Sequence, residues 1–349
     1  MKNNTINEER SDSIIEPGQS FEVDLFRPED AAGVVRLFRT VYGDGYPIQK
    51  FIKPGLLIEE NAARRTISSV ARTTKGDIIG HNALFNSAPY TGIYESGAGL
   101  VLPSYRGTAG IFTKMIAHGQ NIAAKKFGVE LIYGEPVCNH LFSQKAVASL
   151  GWITRAVEVD LMPAEAYHKE QSSSGRVTAL LDFITLKPKP HTIYFPAAYE
   201  DTLRFLYSDM DDGRDMIPSD KNLPGLQTTV VKTQTFDFAG VARMTVMEAG
   251  ADFERVFYSQ EKKALDQGMK VIQAWLKLSC PWIGRTVDAL RQQGYFLGGI
   301  LPRWFDEDGM LMQKILGQPN WEGIKLHFER AKKILEHVKA DWQKTKRES

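Results

Sequence analysis

The chain has 349 residues, which suggests about two domains at roughly 150 residues each. With 43% hydrophobic residues it can bury sizeable cores, and a formal net charge of +1 argues against a dedicated surface for nucleic acid or anionic membranes. Two cysteines cannot build a disulfide framework, and no apolar run approaches the roughly 20 residues of a membrane span. We therefore expect a protein of a reducing compartment, the cytoplasm.

The first 20 residues are polar and contain no hydrophobic core segment. They do not have the pattern of a signal peptide, and we expect residues 1–20 to form a disordered tail.

The next part of the chain, 21–187, combines strand and helix patterns. The predicted strands lie at 21–26, 66–74, 77–85, 94–102, 129–136, 152–161 and 177–186. The predicted helices lie at 30–41, 56–65, about 108–126 and 139–150. The segment 46–57 is predicted to be a loop, either lying over a site or serving as an ordinary connection.

The segment 97–116 is the most informative part of this half. A strand rich in small residues runs into a turn containing Arg106, Gly107 and Gly110, and an amphipathic helix follows. The first amides of a helix lack partners, the helix dipole favours negative charge, and glycine permits a close approach of phosphate. Because Arg106 can add charge-assisted hydrogen bonds, this stretch is predicted to bind a phosphorylated ligand.

The order of these elements resembles the fold of the GCN5-related N-acetyltransferases (GNAT). Arg106 begins a turn similar to that family's acetyl-CoA pyrophosphate motif, although Ala109 stands where the first glycine is usual and Ile111 stands where glycine or alanine is usual. In the alternative alignment the turn has one extra residue, and Gly110 then matches a glycine position of the family motif. Further along, Asn139 and the segment 150–152 resemble the family's helix beside the pantetheine arm.

The resemblance implies an acyl-CoA site in which strand amides pair with pantetheine and the turn amides bind the pyrophosphate. The residues expected at acetyl-CoA, the co-substrate, are Leu100, Val101, Leu102, Arg106, Gly107, Thr108, Ala109, Gly110, Ile111 and Asn139. No metal is expected, because the seven histidines show no metal-ligand spacing.

Acyl transfer to an amine requires a proton acceptor, and two carboxylates are candidates. Glu95 lies on the strand before the turn, where histone-type members of the family have their general base, and Glu135 ends the neighbouring strand. Each could instead be structural, Glu95 as a solvated strand-end residue and Glu135 as a carboxylate near a helix start.

Val147 occupies the position at which the family frequently has a tyrosine that acts as the general acid. Protonation of the CoA thiolate would then fall to Ser143, which we rank first, or to His140, Cys138 or water. Cys138 is more readily explained as an inert buried thiol than as a nucleophile.

The chain beyond 187 repeats part of this layout. The predicted strands lie at 191–196, 228–238, 242–247, 271–278, 297–304 and 310–316, and the helices at 197–210, 252–267, 283–293 and 321–344. The segment 293–295 repeats the layout of 150–152, which resembles the degenerate second unit of tandem GNAT proteins. Its acidic candidate turn, 248–255, is not expected to bind a pyrophosphate.

These patterns predict an α/β (α+β) fold with a GNAT-type mixed, mostly antiparallel sheet flanked by helices, present as two units in tandem. The predicted organisation is a tail (1–20), a GNAT domain (21–187), a degenerate GNAT-like domain (188–318) and a C-terminal helix (319–349). That helix is expected to pack back on a domain, with a partner helix or coiled coil as the alternative.

The preferred function is N-acetyl transfer from acetyl-CoA to a primary amine of a small molecule or a protein. The sequence predicts no nucleic-acid or membrane partner and is compatible with a homodimer. The main alternative is a non-catalytic CoA-binding or acyl-CoA-binding regulatory protein. A third hypothesis, an aminoacyl transferase using charged tRNA, is disfavoured by the near-neutral charge.

Overall fold

A computed structural model describes residues 15–43, 46, 48–107, 110–166 and 175–348. The strands are β1 (Phe21–Leu25), β2 (Thr66–Thr73), β3 (Ile78–Phe85), β4 (Ile93–Val101), β5 (Leu131–Gly134), β6 (Ile153–Met162), β7 (Val177–Thr185), β8 (His191–Phe195), β9 (Arg214–Pro218), β10 (Val230–Phe236), β11 (Val241–Glu248), β12 (Val271–Lys277), β13 (Phe296–Leu301) and β14 (Gly309–Ile315). The α-helices are α1 (Ala31–Tyr42), α2 (Pro54–Ala62), α3 (Ile111–His118), α4 (Ala124–Phe127), α5 (Phe142–Ala148), α6 (Glu200–Tyr207), α7 (Phe253–Asp266), α8 (Ile283–Gln292) and α9 (Glu329–Glu348).

The chain divides into two compact units. The first comprises Met1–Phe85 and Ser96–Lys126, and the second comprises Asn86–Glu95 and Phe127–Ser349. Strand β4 contributes its first three residues to the second unit and the remainder to the first.

In the first unit the strand order is β1, β2, β3 and β4. Successive strand residues point to opposite faces, so Ile78 packs with α1 and α2 on one face while Ile79 packs with α3 on the other. Helices therefore flank both faces of this part of the sheet.

In the second unit the order is β4, β5, β7, β6, β13, β14, β12, β11 and β10. Within this sheet the pairs β4–β5 and β11–β12 are parallel, and the other strand pairs are antiparallel. One face is covered by α6, α7, α8 and α9, whereas the opposite face carries aromatic side chains that include Tyr133, Trp275 and Trp304. The predicted fold class, a mixed and mostly antiparallel sheet flanked by helices, is confirmed.

The strand connections of the second half repeat those of the first. In the first half, β4 and β5 are parallel and are joined through a helical segment. The sheet then continues with antiparallel neighbours in the order β5, β7, β6. In the same way β11 and β12 are parallel, are joined through α7 and continue into β12, β14, β13. The two halves meet where β6 pairs with β13 at Ala156 and Gly299.

The structure differs locally from the predicted elements in three places. The helix predicted at 108–126 is interrupted by a π-helical turn at Gly119–Ala123. The short strand β9 was not predicted, because its alternation is weak and most of its residues are exposed. The C-terminal helix begins at Glu329 rather than at 321, because the preceding backbone is hydrogen-bonded elsewhere: Lys325 N donates to the Cys138 carbonyl (2.7 Å).

Candidate functional site

Strand β4 leads into a turn whose backbone depends on two glycines. Pro103–Tyr105 forms a single 3-10 turn, and Arg106 follows it with extended backbone. Gly107 and Gly110 have φ angles of 73° and 63°, a left-handed conformation that residues with side chains rarely adopt. A Cβ atom at either glycine would meet no described atom within 4 Å, so the backbone is open to an approaching group here.

Helix α3 begins directly after Gly110, with no capping side chain among the described residues. Ile111 is its first residue, and the side chain is buried in the core. The first four amides of a helix have no intrahelical partner, and the dipole makes this end partially positive. The turn and helix end can therefore receive an anion such as phosphate. Thr108 and Ala109, also predicted to take part, lie outside the described residues.

The three strand residues predicted to pair with pantetheine do not face the same edge of β4. The amide of Leu102 donates to the carbonyl of Ile79 on β3 (2.8 Å). Because backbone groups of successive residues point to opposite edges, Leu100 shares that edge and Val101 faces away from β3. Arg106 Nε donates to the Val101 carbonyl (3.2 Å), which places the guanidinium beside this second edge.

The residues predicted beside the pantetheine arm and for protonating the thiolate lie on α5 or just before it. Asn139 is buried (2% exposed) and precedes the helix, whose N-cap position is Leu141, so Asn139 is not the N-cap. The Ser143 hydroxyl oxygen is buried and has no hydrogen-bond partner among the described residues. Val147 is buried on the same helix.

Cys138 is fully buried, and the structure gives it the properties of an inert thiol. Burial, followed by the negative charge of Asp182, raises the pKa of this thiol well above its usual value. Since the thiolate is the nucleophilic form, this environment disfavours covalent catalysis by Cys138.

Glu95 lies on β4 opposite Tyr133 of β5, at the last of three parallel residue pairs. Its Oε2 accepts hydrogen bonds from the hydroxyls of Tyr133 (3.0 Å) and Ser87 (2.9 Å), which also contact each other. Burial, and then the charges of Glu95 and Glu135, raise the pKa of the Tyr133 phenol well above its ordinary value. Tyr133 therefore remains a neutral hydrogen-bond donor to Glu95 near neutral pH.

Glu135 and Glu158 share one arginine. Nη2 of Arg243 lies 3.3 Å from Glu158 Oε1 and 3.7 Å from Glu135 Oε1. The Glu158 side chain is fully buried (0% exposed), whereas 24% of the Glu135 side chain is exposed. Burial, and then the charges of Glu158 and Glu95, raise the pKa of Glu135 well above its usual value, and burial also raises the pKa of Glu158.

Two side chains of β12 hold the Arg243 guanidinium. Gln273 Oε1 accepts a hydrogen bond from Arg243 Nε (3.2 Å), and Gln273 Nε2 donates to Glu158 Oε1 (2.7 Å). The guanidinium carbon lies 4.0 Å from the centroid of a Trp275 ring, a cation–π distance. Although burial would lower the pKa of Arg243, the carboxylates outweigh burial and raise it, so the arginine stays charged.

The arrangement can hold and transfer a proton. A carboxyl group whose pKa is raised above its usual value binds a proton more tightly and can serve in proton transfer, and Glu135 is partly accessible from outside. The sequence identified Glu95 and Glu135 but not their neighbours. Tyr133 could have been found because it shares a strand face with Glu135 at a spacing of two, and Glu158 because it is a charge within a buried strand. No local signal marks Arg243.

The described part of the chain contains no group of three or more His, Cys, Asp or Glu residues that could hold a metal ion. None of its helices is both long enough and apolar enough to span a bilayer.

No protein-family model matches the chain, and no curated protein does so. Among solved structures, the chain is similar to the ribosomal-protein-S5-alanine acetyltransferase of Vibrio fischeri. The identity is 16%, the TM-score is 0.39, and the match covers 50% of this chain and 97% of that one. It is also similar to yncA of Salmonella typhimurium, solved with its cofactor acetyl-CoA (13% identity, TM-score 0.40, 49% and 97% coverage). An N-acetyltransferase of Staphylococcus aureus gives 14% identity, a TM-score of 0.38, and 48% and 99% coverage.

Proposed function

We propose that this chain is a GNAT-type N-acetyltransferase that transfers an acetyl group from acetyl-CoA to a primary amine. In this proposal 21–187 forms the acyl-CoA-binding domain, 188–318 a degenerate GNAT-like domain and 319–349 the C-terminal helix. The acceptor is a small-molecule or protein amine.

The observation that carries the proposal is the open glycine turn before α3. Gly107 and Gly110 expose left-handed backbone, and α3 begins without a side-chain cap in the described part of the chain. A pyrophosphate needs this combination of free amides, positive dipole and space. Arg106 and the Val101 edge lie beside the same turn, where the sequence resemblance implies the CoA arm.

The residues of the second unit support the amine chemistry. The thioester of acetyl-CoA supplies an activated acetyl group. Glu135 can take the proton that the attacking amine must lose, because burial and neighbouring charges raise its pKa. Glu95, hydrogen-bonded by Ser87 and Tyr133, is the second candidate for this role. Ser143 is the candidate for returning a proton to the leaving thiolate.

Calorimetric titration with acetyl-CoA tests the cofactor site. Replacement of Arg106 by Ala removes charge-assisted hydrogen bonds, each contributing about 1.5–3 kcal/mol, so we expect the dissociation constant to rise about 10- to 100-fold. Arg285→Ala removes an exposed arginine of α8 and should bind acetyl-CoA like the wild type. Unchanged affinity in Arg106→Ala would rule out this turn as the pyrophosphate site.

A screen of primary amines at saturating acetyl-CoA, followed by thiol release, tests turnover. We expect at least one amine to release CoA faster than background hydrolysis. If acetyl-CoA binds and every amine remains at background, the chain is a CoA-binding protein without turnover. Val147 favours this non-catalytic function, because it stands where the resemblance implies a tyrosine general acid.

A further inference from the structure

We propose that Arg243, supplied by the second half of the chain, is a positioning residue that sets the proton affinity of Glu135. The inference deepens the proposed function, on which the role of Glu135 as a base rests. It also assigns a task to the second half, which the sequence indicated only as a degenerate copy.

The contacts of Arg243 are directed at the two carboxylates. Its Nη2 faces both Glu158 (3.3 Å) and Glu135 (3.7 Å), so one cation serves two acids. Arg243 donates a hydrogen bond to Glu158, whereas its contact with Glu135 is a longer ion pair. Arg243 therefore acts on Glu135 chiefly through its charge, over a longer distance than it does on Glu158.

The arginine itself has little freedom. Gln273 accepts its Nε–H and also donates to Glu158, which ties the three side chains into one hydrogen-bonded set. The Trp275 indole lies against the guanidinium, and Trp275 Nε1 donates to Gln273 Oε1 (3.2 Å). A planar guanidinium suits this combination of stacking and forked hydrogen bonding, and the point charge of lysine does not reproduce it.

The two carboxylates differ in a way that assigns their roles. Glu158 is fully buried, is held through Oε1 and has an Oε2 with no hydrogen-bond partner among the described residues. Glu135 is about one quarter exposed. Glu135 can therefore exchange a proton with a molecule outside the cluster, whereas the fully buried Glu158 faces only its neighbours within it.

The charges around Glu135 oppose one another. Glu95 on β4 and Glu158 on β6 raise its proton affinity, as does burial, while Arg243 on β11 lowers it. Tyr133 on β5, a further titratable neighbour, is neutral. Because Arg243 is the cation that lowers the pKa of Glu135 in this set, its loss leaves a carboxyl that holds its proton to higher pH and is less available to take one from an amine.

Carbon-13 NMR titration of protein labelled at glutamate Cδ tests this inference without a substrate. Glu135→Gln and Glu158→Gln assign the two resonances. In Arg243→Gln we expect the apparent pKa of Glu135 to rise by about 1–3 units, the usual effect of an opposite charge at this range. In Arg243→Lys it should lie between the two values. An unchanged titration in folded Arg243→Gln would overturn the inference.

If Arg243→Gln does not fold, Arg243→Lys decides the matter, because it keeps a cation but not the stacked, forked geometry of the guanidinium. The apparent pKa of Glu135 should then lie above the wild-type value, and an unchanged titration would overturn the inference. The acetyl-CoA affinity of each variant, measured separately, should equal that of the wild type. If the wild-type protein does not bind acetyl-CoA, the proposed function fails, whereas the result of the titration still stands.

Discussion

At the scale of single residues, Asp182 shows how burial makes a carboxyl group a source of pH-dependent stability. It lies on β7, is 3% exposed, and its Oδ1 has no hydrogen-bond partner among the described residues. Burial raises its pKa to about 7, and a hydrogen bond from Thr154 offsets only part of this effect. In the unfolded chain the group titrates near 3.8. The folded state therefore binds this proton more tightly than the unfolded state does.

The sign of the pH effect follows directly. The stabilising contribution of the protonated Asp182 is complete below about pH 4 and is lost as the pH rises to about 7. We expect Asp182→Asn, which cannot ionise, to be more stable than the wild type at pH 8. The difference in unfolding free energy should grow by a few kcal/mol, on the order of 1.4 per pKa unit, between pH 4 and pH 8.

Urea unfolding of both proteins across this pH range measures the effect. Asp220→Asn, at an exposed position, is the matched control and should show a difference that is nearly independent of pH. A pH-independent difference for Asp182→Asn would mean that this carboxyl is solvated in the folded protein.

The candidate site was predictable from sequence only where a residue's role follows from its own segment. Arg106, Gly107 and Gly110 could be identified because the strand, turn and helix that define their environment are contiguous. Glu135 could be placed at the end of a strand, but its environment depends on Arg243, which is distant in sequence. Such a partner becomes visible only when the strands have been ordered into a sheet.

At the scale of elements, the junction of β6 and β13 depends on one glycine. Gly299 pairs with Ala156 and has φ of 141°, within the range that favours glycine. A Cβ atom there would lie 2.3 Å from the carbonyl oxygen of Arg155 and 2.5 Å from the Ala156 Cα. Because both are backbone atoms, the two strands would have to move apart to make room for a side chain.

We expect Gly299→Ala to lower the unfolding free energy by about 3 kcal/mol, from backbone strain and steric overlap. Gly225→Ala is the control, because a Cβ atom at Gly225 meets no described atom within 4 Å. Urea denaturation of the two variants gives the comparison. Equal stabilities would show that the β6–β13 junction tolerates a side chain.

The order of elements was largely predictable, because apolar periodicity and glycine or proline boundaries act locally. Gly151, with φ of 85°, ends the α5 segment as its sequence indicated. What the sequence could not provide was the order of the strands. The placement of β7 between β5 and β6, and the pairing of β6 with β13, depend on contacts between distant segments.

At the scale of the whole molecule, α9 packs back on the chain, as predicted. Its apolar face is buried, and the helix contacts β13 and β6. Asp341 on this helix also joins three other parts of the second unit. Its Oδ2 accepts hydrogen bonds from the amide of Leu297 (2.7 Å) and the hydroxyl of Tyr199 (2.8 Å), and its Oδ1 pairs with Arg291. The carboxylate is therefore a polar link between segments that are far apart in sequence.

Removal of this carboxylate should destabilise the fold more than an ordinary helix-surface change. In Asp341→Ala the buried Leu297 amide loses its acceptor and Arg291 loses this buried carboxylate, so we expect a loss of about 3–5 kcal/mol in unfolding free energy. Asp266→Ala, which removes an exposed i,i+4 pair with Lys262, should cost about 0.5 kcal/mol or less. Chemical denaturation followed by tryptophan fluorescence measures both. A loss below about 1 kcal/mol in Asp341→Ala would mean that the apolar face of α9 is sufficient to hold it, because a broken buried pair costs more than that.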